Sequence, residues 1–170
     1  MIVLQVKGGL EVISSGADEY ISYVVDKYSS TLLKVAFTVL HDRAEAEDAV
    51  QETFISLMRT EPAFKDREHE KAWLIRVTIN ISRNMRKKQS RIQPLDLDVP
   101  EPEGKVNHVL ETVLNLPEKY STIVHLYYYE GYSLKEIGDI LRLPAATVGT
   151  RLARARQILK KQLEGDESNV

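Results

Sequence analysis

Cysteine is absent from this 170-residue sequence, and glycine and proline are sparse, with 8 and 6 residues. The absence of cysteine excludes disulfides and thiolate metal sites, and it fits a reducing compartment. No apolar run reaches membrane-spanning length, and residues 1–9 lack the charged leader and long apolar core of a signal peptide. We therefore expect a cytoplasmic protein with no direct membrane insertion.

Net charge is also small, at −2, but this value conceals a strong separation of charge along the chain. Residues 71–91 contain seven basic residues, and residues 142–163 contain six. All 25 acidic residues lie outside these two segments. Two basic segments in an otherwise acidic chain predict two specific surfaces that face nucleic acid.

The segment 133–163 has the pattern of a helix-turn-helix. Ser133 and Glu136 have the spacing of a capping box, in which each side chain satisfies a free backbone N–H of the other. Gly138 predicts the close approach of a second helix, and Pro144 suits the first turn of that helix. The second helix has an apolar stripe that should face inward, formed by Val148, Leu152, Ala155, Leu159 and Leu163.

A polar and basic face lies away from this stripe on the second helix. It is formed by Thr147, Thr150, Arg151 and Arg154, and Arg156 adds a further cation. An ordinary amphipathic helix with a solvated basic face would have the same composition. The coupling to a capped preceding helix favours binding to DNA phosphates instead.

The helical pattern stops between residues 92 and 104, where three prolines, one glycine and four acidic residues occur. This composition predicts a flexible linker between two small helical domains, although its acidity could also discourage DNA contact or mimic nucleic acid. Since strand-like alternation is confined to the ambiguous first few residues, we expect an all-α fold. The expected organisation is an N-terminal extension at 1–15, a first domain at 16–91, a linker at 92–104 and a second domain at 105–170.

Three helices are predicted in the first domain, at about 18–40, 42–59 and 71–91, with a charged loop at 60–70. Their expected buried stripes are Val24, Tyr28, Leu32, Val35 and Val39, then Ala46, Val50, Phe54 and Leu57, and then Leu74, Val77, Thr78, Ile81 and Met85. In the second domain, a short helix should pass through Val109, Val113 and Leu114. A longer helix should run from 116–119 to Glu130 and Gly131, with at least one of the three tyrosines at 127–129 exposed.

Two of the first-domain helices carry a polar face opposite their buried stripe. On the second helix this face is acidic, with Glu45, Asp48 and Glu52. On the third helix it is a ridge formed by Arg76, Asn80, Arg83 and Lys87. Arg and Asn can bond to base edges and Arg and Lys can neutralise phosphate, so the ridge is a candidate DNA surface; a solvated helix end is the alternative.

Together these features resemble the extracytoplasmic-function group of bacterial sigma factors over about residues 16–163. The resemblance rests on residues 42–54 (DRAEAEDAVQETF), on Ala72-Trp73-Leu74 followed by Asn80, on residues 116–120 (LPEKY) and on the basic end of the helix-turn-helix at 151–156 (RLARAR). It implies a non-enzymatic subunit, with no cofactor or metal, that joins core RNA polymerase, directs it to promoters and assists promoter opening.

The resemblance also assigns roles to residues. Asp48, Gln51 and Glu52 match positions that dock on the clamp helices of the largest polymerase subunit, and Glu45 belongs to the same acidic face. The minus-10 element would be bound by Arg76, Asn80, Arg83 and Lys87, with Phe64 in the 60–70 loop near a base turned out of the stack. The minus-35 element would be bound in the major groove by Thr147, Thr150, Arg151 and Arg154, and Arg156 belongs to the same set.

Gly149 stands where relatives commonly have Lys or Arg, so either a DNA contact is missing there or the backbone lies close to DNA. Control by an anti-sigma protein, which in this group is often membrane-bound, is also implied.

Two other classes of function remain as alternatives. A helix-turn-helix transcription activator with an amino-terminal sensor domain would share the second basic segment, but it does not explain the acidic helix or the first basic one. An enzyme could use Glu45, Asp48 and Glu52 with a histidine. None of the 4 histidines has a helical E-x-x-H partner, and no glycine-rich phosphate loop occurs, so the sequence disfavours an enzyme.

Overall fold

The structure, a computed structural model, describes residues 15–92, 112–113 and 115–167, without the side chains of 15–17, 90–92 and 163–167. Its longer elements are six helices: α1 (Ser15–Leu40), α2 (Arg43–Thr60), α3 (Arg67–Ile92), α4 (Glu118–Tyr128), α5 (Leu134–Leu141) and α6 (Ala145–Glu167). These residues contain no strand, which confirms the all-α class. None of the described helices is long and apolar enough to cross a membrane.

The first three helices pack on one another into one unit. The predicted stripe of α1 is buried, as is that of α2: Val24, Tyr28, Leu32, Val35 and Val39 on α1, and Ala46, Val50, Phe54 and Leu57 on α2. Asp42 caps α2, because its carboxylate accepts a hydrogen bond of 2.8 Å from the Glu45 backbone N–H. A free donor of the first turn is thereby satisfied, which explains why the helix begins there.

Helix α3 begins four residues before its predicted start, so the expected loop at 60–70 is shorter than predicted. The Asp66 carboxylate accepts a 2.8 Å hydrogen bond from the His69 backbone N–H, and the Asp66 carbonyl accepts one of 3.1 Å from Glu70. Asp66 is therefore the cap of α3, and residues 67–70 form its first turn. The sequence analysis assigned this turn to a loop because its residues are mostly charged.

The buried face of α3 is wider than predicted and is rotated. Leu74 and Thr78 are buried as expected, whereas Val77, Ile81 and Met85 are only half-buried. The additional buried side chains are Ile75, Ile79 and Ser82. Because α3 contacts α1 and α2 and also α5 of the second unit, more than one side of this helix is covered.

Helices α4, α5 and α6 form the second unit. The predicted helix-turn-helix is formed by α5 and α6, which pack on each other. The predicted capping box begins α5: the Ser133 N–H donates to the Glu136 carboxylate at 2.8 Å, and the Glu136 N–H donates to the Ser133 hydroxyl at 3.3 Å. The turn passes through Arg142 in the left-handed region, at φ 56°. Pro144 precedes α6 by one residue rather than lying in its first turn, and its carbonyl accepts from the Val148 N–H at 3.1 Å.

Gly138 allows the close approach that the sequence predicts. A Cβ atom at this position would lie 2.6 Å from the Leu143 carbonyl oxygen, which is closer than side chains tolerate. Gly131, which follows α4, adopts φ 75° and ends that segment as expected. Tyr128 and Tyr129 are each 55% exposed, which confirms the prediction for the tyrosine run.

The two helical units are in direct contact, α1 against α4 and α3 against α5. At their centre the Thr38 and Thr122 hydroxyls lie 3.0 Å apart, and the Ser121 hydroxyl donates to the Thr38 carbonyl at 3.0 Å. The predicted extension at 1–15 and linker at 92–104 lie almost entirely outside the described residues. Of the predicted helix at 109–114, only Thr112 and Val113 are described, and they are helical and buried.

Candidate polymerase and nucleic-acid interfaces

The acidic face of α2 is formed as predicted from the sequence. Asp48, Gln51 and Glu52 are exposed, while Glu45 is half-buried and accepts a hydrogen bond from Gln89 near the end of α3. Burial raises the pKa of Glu45, and the carboxylates of Asp42 and Asp48 raise it further. The carboxylates of this face thus repel one another, and a basic partner surface would relieve that repulsion.

The ridge of α3 is divided between solvent and the second helical unit. Asn80 and Lys87 are exposed. The Arg76 guanidinium donates to the Asp139 carbonyl at 2.8 Å, and the Arg83 Nε donates to the Glu118 carboxylate at 2.6 Å. Two of the four ridge residues, Arg76 and Arg83, therefore contact the second unit in this arrangement.

Phe64 lies in the loop before α3 and is half-buried in an aromatic cluster. Its ring makes edge contacts with the rings of His69 and Trp73, each with centroids 5.7 Å apart. The Lys65 backbone N–H donates to the His69 ring at 3.3 Å, which holds the loop against the start of α3. Phe64 is thereby placed beside the start of α3.

The polar and basic face of α6, formed by Thr147, Thr150, Arg151 and Arg154 and called here the recognition face, points away from the core of the second unit. Thr150 and Arg154 are exposed, and Thr147 and Arg151 are half-exposed. The opposite stripe is inward as predicted, with Val148, Leu152 and Ala155 buried and Leu159 half-buried; the side chain of Leu163 lies outside the described residues. The structure thus brings the four predicted minus-35 residues onto one accessible helix face.

Arg156 lies apart from these four residues. Its Nε donates to the Tyr128 hydroxyl at 2.7 Å, and its guanidinium lies over the rings of Tyr127 and Tyr128 at 5.7 and 5.6 Å. Arg156 follows Arg154 by about 200° around the helix, which turns it toward α4. A contact with DNA would require this side chain to leave the tyrosines.

Gly149 is not explained by a close approach within the protein. A Cβ atom there would meet the Leu134 Cδ1 at 3.5 Å, an ordinary van der Waals distance. The first atom of any side chain at this position would therefore point toward α5.

Glu70 is a buried carboxylate that sequence reasoning missed, because the residue was placed in a loop. It is 2% exposed and accepts hydrogen bonds from the hydroxyls of Tyr20 at 2.7 Å and Tyr28 at 3.0 Å and from Arg67 at 3.1 Å. Burial alone would raise its pKa, but the bonds from Tyr20, Arg67 and Tyr28 outweigh burial and lower it. Burial and the bond to Glu70 raise the pKa of Tyr20. This network fixes the start of α3 against α1.

Two further carboxylates join the two helical units. Glu118 pairs with Arg83 at 2.6 Å and with Arg86 at 3.2 Å, and its side chain is only 16% exposed. Glu130 lies 3.4 Å from the His125 ring and 2.9 Å from the Lys71 ammonium. These neighbours, His125 and then Lys71, lower the pKa of Glu130 to about 2. The pairs with Arg83, Arg86 and Lys71 connect residues far apart in the chain, so no local sequence signal could have revealed them.

No group of three His, Cys, Asp or Glu side chains in the described part of the chain could hold a metal ion. The described residues form a two-part helical protein with an acidic face on α2 and clusters of basic residues on α3 and α6.

Comparison with known proteins gives this class a family. Residues 24–92 match Sigma-70 region 2, and residues 108–159 match Sigma-70, region 4. The ECF RNA polymerase sigma factor SigW of Bacillus subtilis (strain 168) is 29% identical, over 94% of this chain and 97% of its own length. The ECF RNA polymerase sigma-E factor of Haemophilus influenzae is 27% identical, over 91% of this chain and 93% of its own length.

A solved structure has the same fold. The sigma factor RpoE of Bartonella quintana, in complex with the anti-sigma factor NepR, superposes with a TM-score of 0.67 at 21% identity, over 89% of this chain and 98% of that chain. The present chain belongs to the sigma-70 family, in its extracytoplasmic-function group. It is an RNA polymerase sigma factor, which directs the polymerase to promoters and assists their opening.

Proposed function

We propose that three faces of this chain divide the work of initiation: α2 docks on core polymerase, α3 with its preceding loop binds the minus-10 element, and α6 reads the minus-35 element. One observation above all supports this division. The recognition face of α6 is accessible while its opposite stripe is buried against α4 and α5, so the helix can enter a groove without exposing its core.

Polymerase docking is assigned to Glu45, Asp48, Gln51 and Glu52. The exposed carboxylates lie one helical turn apart on α2, and the partly buried Glu45 adds to their negative potential. Their expected partners are the clamp helices of the largest polymerase subunit. A basic helical surface there would gain attraction and would relieve the mutual repulsion of the carboxylates.

Minus-10 binding is assigned to Phe64, Arg76, Asn80, Arg83 and Lys87. The ridge supplies guanidinium groups for phosphate and an exposed amide for a base edge. Phe64 offers a ring beside the ridge on which an unstacked base can rest. These contacts would hold the separated strand after opening.

Minus-35 binding is assigned to Thr147, Thr150, Arg151 and Arg154, and Arg156 joins them only if it leaves Tyr128. The Thr150 hydroxyl donates to the Ala146 carbonyl at 2.9 Å, which leaves its methyl group and oxygen lone pairs for a groove contact. The arginines provide bidentate donors for guanine or phosphate.

We further propose that the chain works in the cytoplasm and is not itself an enzyme, since the polymerase supplies the catalytic centre. An anti-sigma protein is proposed as its regulator. The fold shared with RpoE, which was solved together with NepR, supports that proposal.

The test is transcription by core polymerase from a promoter library, with this chain as the sole added factor. Specific transcripts are expected, whereas an activator would give none without another sigma subunit. Asp48→Lys should weaken core-polymerase binding tenfold or more, by about 1.4 kcal/mol or greater, while Asp26→Lys, on the exposed side of α1, should bind normally. Normal polymerase affinity of the Asp48 variant would contradict the docking assignment.

A further inference from the structure

Glu70 is a buried carboxylate to which the proposed function gives no role. It is 2% exposed, and it accepts hydrogen bonds from the hydroxyls of Tyr20 at 2.7 Å and Tyr28 at 3.0 Å. Both tyrosines belong to α1, whereas Glu70 belongs to the first turn of α3, where Arg67 donates to the same carboxylate at 3.1 Å. These four side chains, called here the Glu70 network, join the start of α3 to α1.

The first turn of α3 depends on this network for its position. Of residues 67–70, Glu70 alone is buried, and the buried apolar residues of the helix begin only at Leu74. Lys71, which follows the turn, binds Glu130 of the second helical unit at 2.9 Å. A segment with few buried apolar contacts opens easily unless polar bonds hold it. The bonds of Glu70 therefore decide where this turn lies on α1.

The charge of Glu70 allows it to bind several donors at once. An ionised carboxylate only accepts hydrogen bonds, at two oxygens, and bonds to a charged acceptor are stronger than bonds between neutral groups. Burial alone would raise the pKa of Glu70, but the bonds from Tyr20, Arg67 and Tyr28 outweigh burial and lower the pKa. Glu70 is therefore charged at neutral pH, and an amide in its place would have only one acceptor oxygen.

The loop before α3 is attached to the same turn. The Asp66 carboxylate accepts a hydrogen bond of 2.8 Å from the His69 backbone N–H, and the Lys65 backbone N–H donates to the His69 ring at 3.3 Å. The rings of Phe64 and His69 meet edge to face, with centroids 5.7 Å apart. Because His69 directly precedes Glu70, any displacement of the turn also displaces the residue that supports Phe64.

We propose that Glu70 is a positioning residue for the opened promoter strand: through Tyr20 and Tyr28 it fixes the first turn of α3, and this turn holds Phe64 where a minus-10 base can rest on its ring. The inference rests on the proposed role of Phe64, whose ring is half-buried and so keeps an accessible part. A ring held in place before binding saves the cost of ordering it. Since the Glu70 network contains no residue of α2 or α6, its loss should spare polymerase docking and minus-35 binding.

Two substitutions that remove the same charge from one turn test the inference. Glu70→Gln keeps the shape of the buried side chain, and Glu68→Gln makes the same change at an exposed position. The probe is a single-stranded oligonucleotide with the minus-10 sequence of a promoter that the wild-type chain uses, and each variant is assembled with core polymerase. Losing a negative charge by itself favours binding to DNA. Glu70→Gln should nevertheless weaken probe binding by about fivefold or more, whereas Glu68→Gln should not weaken it.

A double-mutant cycle with Phe64 separates positioning from a general loss of structure. Phe64→Ala alone should weaken probe binding, and Glu70→Gln added to it should cause little further loss, because the ring that Glu70 positions is already gone. Additive losses would overturn the inference, and so would normal probe binding by Glu70→Gln where Phe64→Ala binds weakly. Normal binding by Phe64→Ala would instead overturn the proposed role of Phe64 itself, and the inference with it.

A milder variant, Tyr20→Phe, removes a single hydroxyl from the network at a residue that is 37% exposed. Tyr23→Phe is its control, because Tyr23 lies on the same helix, is 39% exposed and has its hydroxyl bonded to Lys27 instead. Trp73 is the only tryptophan of the sequence, and its ring centroid lies 5.7 Å from that of Phe64, so its fluorescence reports on the loop. Tyr20→Phe should increase acrylamide quenching of this fluorescence and weaken probe binding by about twofold or more, while Tyr23→Phe should match the wild-type chain. Equal probe binding by the Tyr20 variant and the wild-type chain would overturn the inference.

Discussion

Two glycines of the helix-turn-helix should respond to the same substitution with opposite signs. Gly149 lies inside α6, where glycine costs about 1 kcal/mol relative to alanine. A Cβ atom there would lie 3.5 Å from Leu134, so the methyl group fits without displacement. Gly149→Ala should raise the free energy of unfolding by about 1 kcal/mol, which corresponds to roughly 2–4 °C in Tm for a chain of this size.

Gly138→Ala introduces the same methyl group into α5 but should destabilise the protein. Its Cβ would lie 2.6 Å from the Leu143 carbonyl, a backbone atom that cannot rotate away. Overpacking of this kind costs about 1–3 kcal/mol of stability. Replacing glycine by alanine in a helix gains about 1 kcal/mol, so the protein is destabilised whenever the overpacking cost is larger. We expect a net loss because the obstacle is the turn itself.

Thermal and denaturant unfolding followed by circular dichroism measures both variants against the wild-type chain. Promoter binding by the Gly149 variant is the functional control, and it should be retained because the added methyl group faces α5. A decrease in stability for Gly149→Ala, or an increase for Gly138→Ala, would refute the packing argument for the turn.

Three further predictions concern single side chains. Arg154→Ala should weaken minus-35 duplex binding by about 1–3 kcal/mol in titrations, while Lys161→Ala, farther along α6, should have a much smaller effect; an equal loss on all promoter sequences would identify a phosphate contact. Glu70→Gln should lower the free energy of unfolding by about 1–3 kcal/mol, because one tyrosine hydroxyl or Arg67 loses its charged acceptor; the exposed Glu68→Gln is its control, and equal stabilities would refute the network. The low pKa of Glu130 contributes stability that is fully present above pH 4.5 and is lost as pH falls toward about 2, so the acid slope of stability should be shallower in Glu130→Gln; an unchanged slope would contradict the pairing with His125 and Lys71.

Features governed by neighbouring residues could be predicted well. The cap at Asp42, the capping box at Ser133 and Glu136, and the buried stripes of α1 and α2 all agree with the structure. Each depends on contacts within one or two helical turns, or on a single apolar side of a helix. The close approach at Gly138 belongs to this group, because the turn that requires it follows within a few residues.

For helix α3, the start and the buried face could not be predicted from neighbouring residues. Its first turn is highly charged, and its carboxylate Glu70 is buried by Tyr20 and Tyr28, which lie over 40 positions earlier. Its buried face is also broader than one stripe, because two separate sets of helices cover it. Periodicity assumes one buried side, so it could not identify Ile75 and Ile79 as core residues.

The sequence by itself determined the helical class, the capped helix-turn-helix and the division of charge between an acidic helix and two basic ones, because short-range bonding and side-chain spacing specify these features. Only the tertiary structure decided that Arg83 meets Glu118, that Lys71 meets Glu130 and that Arg156 rests on Tyr128. Those contacts depend on how the two helical units approach each other. Residues separated by dozens of positions acquire a common environment only when the chain has folded.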